Sequence, residues 1–268
     1  MLSLRSLVLF SLLALVPAQD PTPVKDPVKE RLEKSPRHHE WVDVKSGERT
    51  VSCFISYPEV KGKAGAVLVI HENKGLNDWA RAMTDEFSEA GYIAIAPDLL
   101  SGAGPGGGKT DSFTSTDAAT QVLYKLDAVQ VTADLGAAAD YATKLDSCSG
   151  KLSVAGFCWG GGQSFSFATA RKGLKAAFVF YGTAPKDEAL AKIECPVYGF
   201  YGESDSRITA SVAATAETMK KQGKIFEPVT YAGAGHGFMR AGEALDASAE
   251  NKKARDEAWV RLKKVLGA

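Results

Sequence analysis

The sequence predicts an α/β protein with a doubly wound, mainly parallel sheet in a single domain. Three observations carry this. Short apolar runs such as Ala66 to His71 (AVLVIH) and Tyr92 to Ala96 have the length of strands buried on both faces. They alternate with segments of helical periodicity, the order expected of βαβ units. No repeat of fixed period and no internal linker interrupts the 268 residues, a length that fits one core.

In chain order, Arg5 followed by the apolar run Leu7 to Val16 and then Val16-Pro17-Ala18 reads as a signal peptide over residues 1–18. The run is short of the roughly 20 residues needed to span a bilayer, so stable membrane insertion is not expected. Export to a periplasmic or secreted location follows, with cleavage after Ala18. Residues 19–39, rich in Pro, Lys, Asp and Glu, read as a flexible, solvated leader. Adjacent His38 and His39 diverge in an extended chain, so no metal site is expected there. The folded domain is expected over residues 40–268.

Glu40 to Val44 and Thr50 to Tyr57 alternate as strands and pair across the Lys45–Gly47 turn. Ala66 to His71 is the first buried strand, and Asn77 to Ala90 an amphipathic helix stopped by Gly91. Tyr92 to Ala96 is the next strand, closed by Pro97-Asp98. Ala118 to Leu145 has helical periodicity throughout. Leu152 to Phe157 returns to strand, and Gly160 to Arg171 is a helix of small residues. Lys175 to Tyr181, Pro196 to Tyr201 and Ile225 to Tyr231 complete the strands, with helices between and after them.

The charge is balanced, 32 basic against 32 acidic residues. With no basic stripe or charge block, neither nucleic acid nor a membrane surface is an expected partner, and a small molecule is. Four cysteines in an exported chain raise the question of a disulfide. Cys148 and Cys195 each precede a strand, with one strand expected between them. That implies about 10 Å, beyond the roughly 7 Å that a bridge tolerates.

The glycine-rich stretch Ser101 to Thr110 (SGAGPGGGKT) resembles a phosphate loop, but Ala103 stands where the first glycine belongs. It reads instead as a flexible loop over the carboxyl ends of the strands.

The sharpest chemical signal is Gly156-Phe157-Cys158-Trp159-Gly160-Gly161, which ends a strand and opens a helix. This is the context of the G-x-S-x-G nucleophile elbow of α/β-hydrolases, with cysteine in place of serine. The turn aims backbone N–H groups at the nucleophile and offers an oxyanion donor at Trp159. In that fold the acid and then the histidine follow the nucleophile along the chain. Asp205 lies in the loop after Pro196 to Tyr201, and His236 in the glycine-flanked loop after Ile225 to Tyr231. His236 is the one histidine of four that follows Cys158. Cys158-Trp159 also echoes papain-type proteases, but a mid-chain cysteine after a strand with no asparagine partner does not fit them.

The chain after the leader resembles the dienelactone hydrolase family of α/β-hydrolases. The matching stretches are His71 to Asn77 (HENKGLN), Ala96 to Leu99 (APDL), the elbow, Phe180-Tyr181-Gly182, Gly202 to Asp205 (GESD) and His236-Gly237-Phe238. The resemblance implies that Glu72 sits beside the thiol and helps activate it. It also implies that the Asn73 N–H joins that of Trp159 in an oxyanion hole, and that Arg240 and Tyr181 belong to the substrate site. Glu72 is unusual on its own account, because a carboxylate directly after an apolar strand is costly to bury unpaired. The family's other carboxylate-binding arginine would follow Pro97-Asp98-Leu99, where this chain has Leu100, Ser101 and Gly102.

The expected chemistry is hydrolysis of an activated ester or lactone through a Cys158–His236–Asp205 triad and a thioester, with no cofactor or metal. Acyl transfer on the same scaffold and a hydrolase-like binding protein are the alternatives.

Overall fold

Eight strands form one sheet in the order β1-β2-β4-β3-β5-β6-β7-β8. The structure is a computed structural model that describes residues 27–267. The expected signal peptide, residues 1–18, lies outside the described residues, as do residues 19–26 of the leader.

The described chain begins with α1 (Pro27–Glu33), then the hairpin β1 (His39–Ser46) and β2 (Arg49–Ser56). Next come β3 (Ala64–Ile70), α2 (Asp78–Glu89), β4 (Ile93–Pro97), α3 (Thr116–Leu123) and α4 (Ala128–Lys144). The second half runs β5 (Cys148–Phe157), α5 (Trp159–Ala170), β6 (Leu174–Phe180), α6 (Asp187–Leu190), β7 (Val197–Gly202) and α7 (Ser206–Thr209). It closes with α8 (Val212–Lys221), β8 (Phe226–Tyr231), α9 (Phe238–Ala241) and α10 (Ala249–Leu266). Strands β1 and β2, and β2 and β4, pair antiparallel, and every other pair is parallel.

The apolar strands behave as their composition requires. In β3, Leu68 and Ile70 join the core under α4 and α5, while Val67 and Val69 join the core under α2 and α10. Alternate residues therefore fill opposite layers, which is why the strand must be apolar along its whole length. The chain leaves β3 for β4 on one side and later enters β5 on the other. A crevice at the carboxyl ends of β3 and β5 results, the place where open α/β sheets bind ligands.

Three expectations need correction. The stretch read as one long helix is two, because Asp127 takes an extended conformation (φ −67°, ψ 125°) and its side chain accepts the Gln130 N–H, starting α4 afresh. The glycine-rich loop is tied down. Thr110 donates from its N–H (3.0 Å) and its hydroxyl (2.7 Å) to the Asp98 carboxylate, and the Lys109 ammonium lies 3.3 Å from the Trp41 ring centroid.

The third correction concerns the leader, whose described part is packed against the domain. Arg37 donates to Asp85 at 2.8 and 2.6 Å, the His39 ring meets the same carboxylate at 2.7 Å, and Ser35 bonds it at 3.0 Å. Arg31 pairs with both Glu86 and Glu243. Asp85 and Glu86 are buried on α2 and need these countercharges. Burial alone would raise the Asp85 carboxyl, but the bonds from Arg37, His39 and Ser35 hold it well below the usual range. Charges that look solvated in the sequence are partners of buried acids.

Cys53, Cys148 and Cys195 are buried free thiols, and β6 separates the strand starts that carry the last two. Among the described residues no helix is long and apolar enough to cross a membrane.

Candidate active site

Strand β5 runs into α5 through Cys158, whose backbone is left-handed (φ 56°, ψ −116°). A non-glycine residue pays for that conformation with strain of about 1–3 kcal/mol, which surrounding packing must hold in place. Here the Cys158 N–H is fixed to the Phe180 carbonyl at 3.0 Å. The neighbouring glycines allow the sharp turn. A Cβ on Gly156 would lie 1.9 Å from the Gly160 carbonyl oxygen, and one on Gly160 would lie 2.3 Å from that of His71. The elbow thus presses directly on the end of β3.

Asp205 follows β7 and is buried, while His236 stands in the loop after β8 and is partly exposed. His236 Nδ1 lies 2.5 Å from Asp205 Oδ2, and its Nε2 lies 3.1 Å from Cys158 Sγ. Loops from three strands therefore converge in one hydrogen-bonded line. The bond to Cys158 pushes the His236 imidazole up to about 9, and Asp205 adds to this against a desolvation that works the other way. An imidazolium in that position is the neighbour that favours a thiolate.

Glu72 lies two residues beyond the end of β3. It is buried at 4% exposure, yet its oxygens face Arg240 Nε at 2.8 Å and the Tyr181 hydroxyl at 3.3 Å. Among the described residues it makes no hydrogen bond to Cys158. A buried carboxylate takes the nearest countercharge, and Arg240, one turn beyond His236, supplies it. Burial opposes the Arg240 charge, but Glu72 more than offsets this. Burial, with Glu72 beside it, pushes the Tyr181 hydroxyl well above its usual range, so it remains a donor. Tyr181 also stands edge-on to His236, with ring centroids 5.1 Å apart. The Glu72 cluster thus braces the histidine loop, and Arg240 is engaged before any substrate arrives.

The Trp159 N–H is the first of α5, where no carbonyl of the same helix can reach it. The Asn73 carbonyl accepts from Thr120 Oγ1 at 2.9 Å, which holds the turn after β3 in place. Among the described residues neither the Trp159 N–H nor the Asn73 N–H has a hydrogen-bond partner. One contributor escaped the sequence reading. His71 is fully buried, donates from Nδ1 to the Glu72 carbonyl (2.7 Å) and accepts the Leu99 N–H at Nε2 (3.4 Å). Burial lowers its basicity, which suits this neutral tautomer, and its ring stacks on Trp159 at 5.9 Å. A polar residue closing an apolar strand was the available signal.

A cleft of about 220 Å³ opens beside the thiol, bordered by Tyr124, Trp159, Gln163, Tyr181, Arg207 and His236. A larger hollow, about 590 Å³, lies at the amino ends of β3, β5 and β6 among Lys61, Lys63, Lys151 and Lys175. It contains none of the residues around Cys158, so size does not mark the site. Among the described residues no group of three or more His, Cys, Asp or Glu side chains is placed to hold a metal ion.

The sheet order, with its nucleophile-type elbow after β5, defines an α/β-hydrolase. Residues 51–268 match the dienelactone hydrolase family, and the chain belongs to that family, an enzyme of the ester- and lactone-hydrolase class. A protein of Salmonella typhimurium that bears the working name carboxymethylenebutenolidase is 30% identical over 196 residues, covering 68% of this chain and 72% of its own. One of the same working name from Methylorubrum extorquens is 28% identical, covering 74% of this chain and 71% of its own. A Klebsiella pneumoniae structure described as a dienelactone hydrolase superposes with a TM-score of 0.76 at 23% identity, over 87% of this chain and 99% of that one.

Proposed function

We propose that this protein is an exported thiol hydrolase that cleaves activated esters or enol-lactones through Cys158. The observation that supports this best is the continuous line from Asp205 through His236 to the Cys158 sulfur, at 2.5 and 3.1 Å. The Cys158 thiolate attacks the carbonyl carbon, and the tetrahedral oxyanion is received by the N–H groups of Trp159 and Asn73. Collapse breaks the bond to the leaving oxygen, which takes its proton from the His236 imidazolium. A thioester and an alcohol or enol result. His236, now neutral, removes a proton from water as it attacks the thioester, and the released thiolate restores the pair.

A thiolate is itself a good leaving group. The intermediate therefore falls back to substrate unless the departing oxygen leaves as readily, which favours aryl and enol esters over alkyl esters and amides. Glu72, Tyr181 and Arg240 hold the His236 loop in register with the thiol.

The decisive comparison is p-nitrophenyl acetate hydrolysis by the wild type and by Cys158→Ala. Loss of activity in a folded variant, with an acyl adduct trapped on Cys158 of the wild type by mass spectrometry, is the expected result. Retained activity sinks the proposal. Export rests on the Arg5 to Ala18 pattern, and amino-terminal sequencing of the mature protein should begin at Gln19.

A further inference from the structure

Four lysines, Lys61, Lys63, Lys151 and Lys175, border the hollow of about 590 Å³ at the amino ends of β3, β5 and β6, and no Asp or Glu does. Among the described residues none of the four ammonium groups has a hydrogen bond or an ion pair. The ends of α2 and α10 also reach the hollow, through Ala90 and Leu266. Each helix end carries roughly half a negative charge, about one unit for the two, against four full positive ones. The field in the hollow is therefore positive, and it lies within low-dielectric walls that strengthen it.

The inner wall is aromatic. Phe178 is fully buried, and Tyr198 stacks on it with ring centroids 5.6 Å apart. Tyr92 lies against the start of β3, where Gly65 leaves it room, since a Cβ there would stand 3.1 Å from the ring. Its hydroxyl donates to the Leu266 carbonyl and ties the ring to the end of α10. Ser153 is an independent sign of a ligand. It is 5% exposed and borders the hollow, and among the described residues its hydroxyl has no hydrogen-bond partner. Its neighbours on the same face of β5, Ala155 and Phe157, are apolar. An unmatched hydroxyl is costly to bury there, and it is a ready donor to an oxyanion drawn in by the lysines.

We propose that this hollow is a second binding site, which takes a small phosphorylated molecule with a flat apolar body. Lysine suits phosphate because a compact ammonium approaches a tetrahedral oxyanion as a point charge from any side. The Tyr92, Phe178 and Tyr198 rings receive the apolar body, and the volume falls in the range of small-molecule pockets. The site is separate from the thiol. Ser153 and Cys158 are five residues apart along β5 and its end, about 16 Å at the rise of an extended chain. Binding here stands whether or not Cys158 is a nucleophile.

The test titrates the protein with 1-naphthyl phosphate, 1-naphthol and inorganic phosphate, followed through backbone amide shifts by NMR. The aryl phosphate should bind roughly tenfold or more tightly than either fragment at low ionic strength. The largest shifts should fall at Lys151, Ser153 and Lys175, with none at Trp159 or His236. Affinity should drop as salt is added. Lys151 and Lys175 are exposed, so a Lys151→Gln, Lys175→Gln double variant keeps the fold, and it should bind roughly tenfold more weakly. Ser153→Ala should weaken binding in the same direction. Lys172→Gln serves as the control, because Lys172 pairs with Glu194 at 3.1 Å and does not border the hollow, and it should leave the affinity unchanged. Absence of shifts at millimolar naphthyl phosphate, shifts centred on the Cys158 cleft, or undiminished affinity in the double variant overturns the proposal. Binding confined to phosphatidylglycerol vesicles also overturns it, since that describes a patch facing a lipid surface rather than a site for a small molecule.

Discussion

Arg240 reaches across from α9 to Glu72 at the end of β3, with Nε 2.8 Å from Oε2, and so ties the loop that carries His236 to the strand beside the nucleophile elbow. The pair links two segments 168 residues apart in sequence. Among the described residues neither partner makes a hydrogen bond to the Cys158 sulfur.

Arg240→Ala leaves the buried Glu72 carboxylate without its countercharge. Stability should fall by about 1–3 kcal/mol, read as a lower urea midpoint with unchanged slope. Activity should fall with it as the His236 loop loosens. Glu72→Gln in the Arg240→Ala background should restore part of the stability, because a neutral amide is less costly to bury than an unpaired charge. An equal loss in the single and double variants contradicts this account.

The His236 imidazole, raised to about 9 chiefly by Cys158, sets the alkaline side of the pH profile. Above that pH the imidazolium that protonates the leaving oxygen is lost. kcat/KM for an ester with a poor leaving group should therefore decline with an apparent pKa near 9, and less steeply for p-nitrophenyl esters. The raised value also has a consequence for stability. The stabilisation it represents is fully present below the unfolded value of about 6.5 and is lost as pH rises through about 9. In Cys158→Ala the first contributor is gone, so the imidazole titration followed by proton NMR should move downward.

His71 fixes the turn that presents the Asn73 N–H, through its bonds to the Glu72 carbonyl and the Leu99 N–H. His71→Phe retains an aromatic ring against Trp159 and removes both bonds. kcat should drop by roughly tenfold or more while KM changes little, as expected when an oxyanion donor is displaced. A pure KM effect argues against this role.

Residues 27–39 supply both cations that meet Asp85, Arg37 and His39, and one of the two that meet Glu86, Arg31 beside Arg255 of α10. A chain beginning at residue 40 should be less stable than one beginning at residue 27 by about 3–5 kcal/mol, the cost of stranding the buried Asp85 charge, since Glu86 keeps Arg255. Differential scanning calorimetry should show this as a Tm lower by on the order of 10 °C. Identical melting curves mean that the segment is dispensable.

Much of the fold was legible because its signals are local. An apolar run such as Ala66 to His71 must be covered on both faces wherever it occurs, and the glycines around Cys158 mark a turn that side chains would block. The break at Asp127 was not legible, since helical periodicity continues across it and the capping side chain competes with only a small energetic advantage. The packed leader was missed for a different reason. Its composition is that of a solvated segment, and the buried acids it matches lie some 50 residues away.

The amino-acid sequence by itself determined the strand–helix order, the elbow at Cys158 and the chain order of Cys158, Asp205 and His236, because each depends on local pattern or on the placement of loops after strands. Only the tertiary structure decided how the charges pair. Glu72 pairs with Arg240, and Arg31 and Arg37 pair with the buried acids of α2. The physical reason is that an ion pair is set by distance and burial in space, and sequence separation carries almost no information about either.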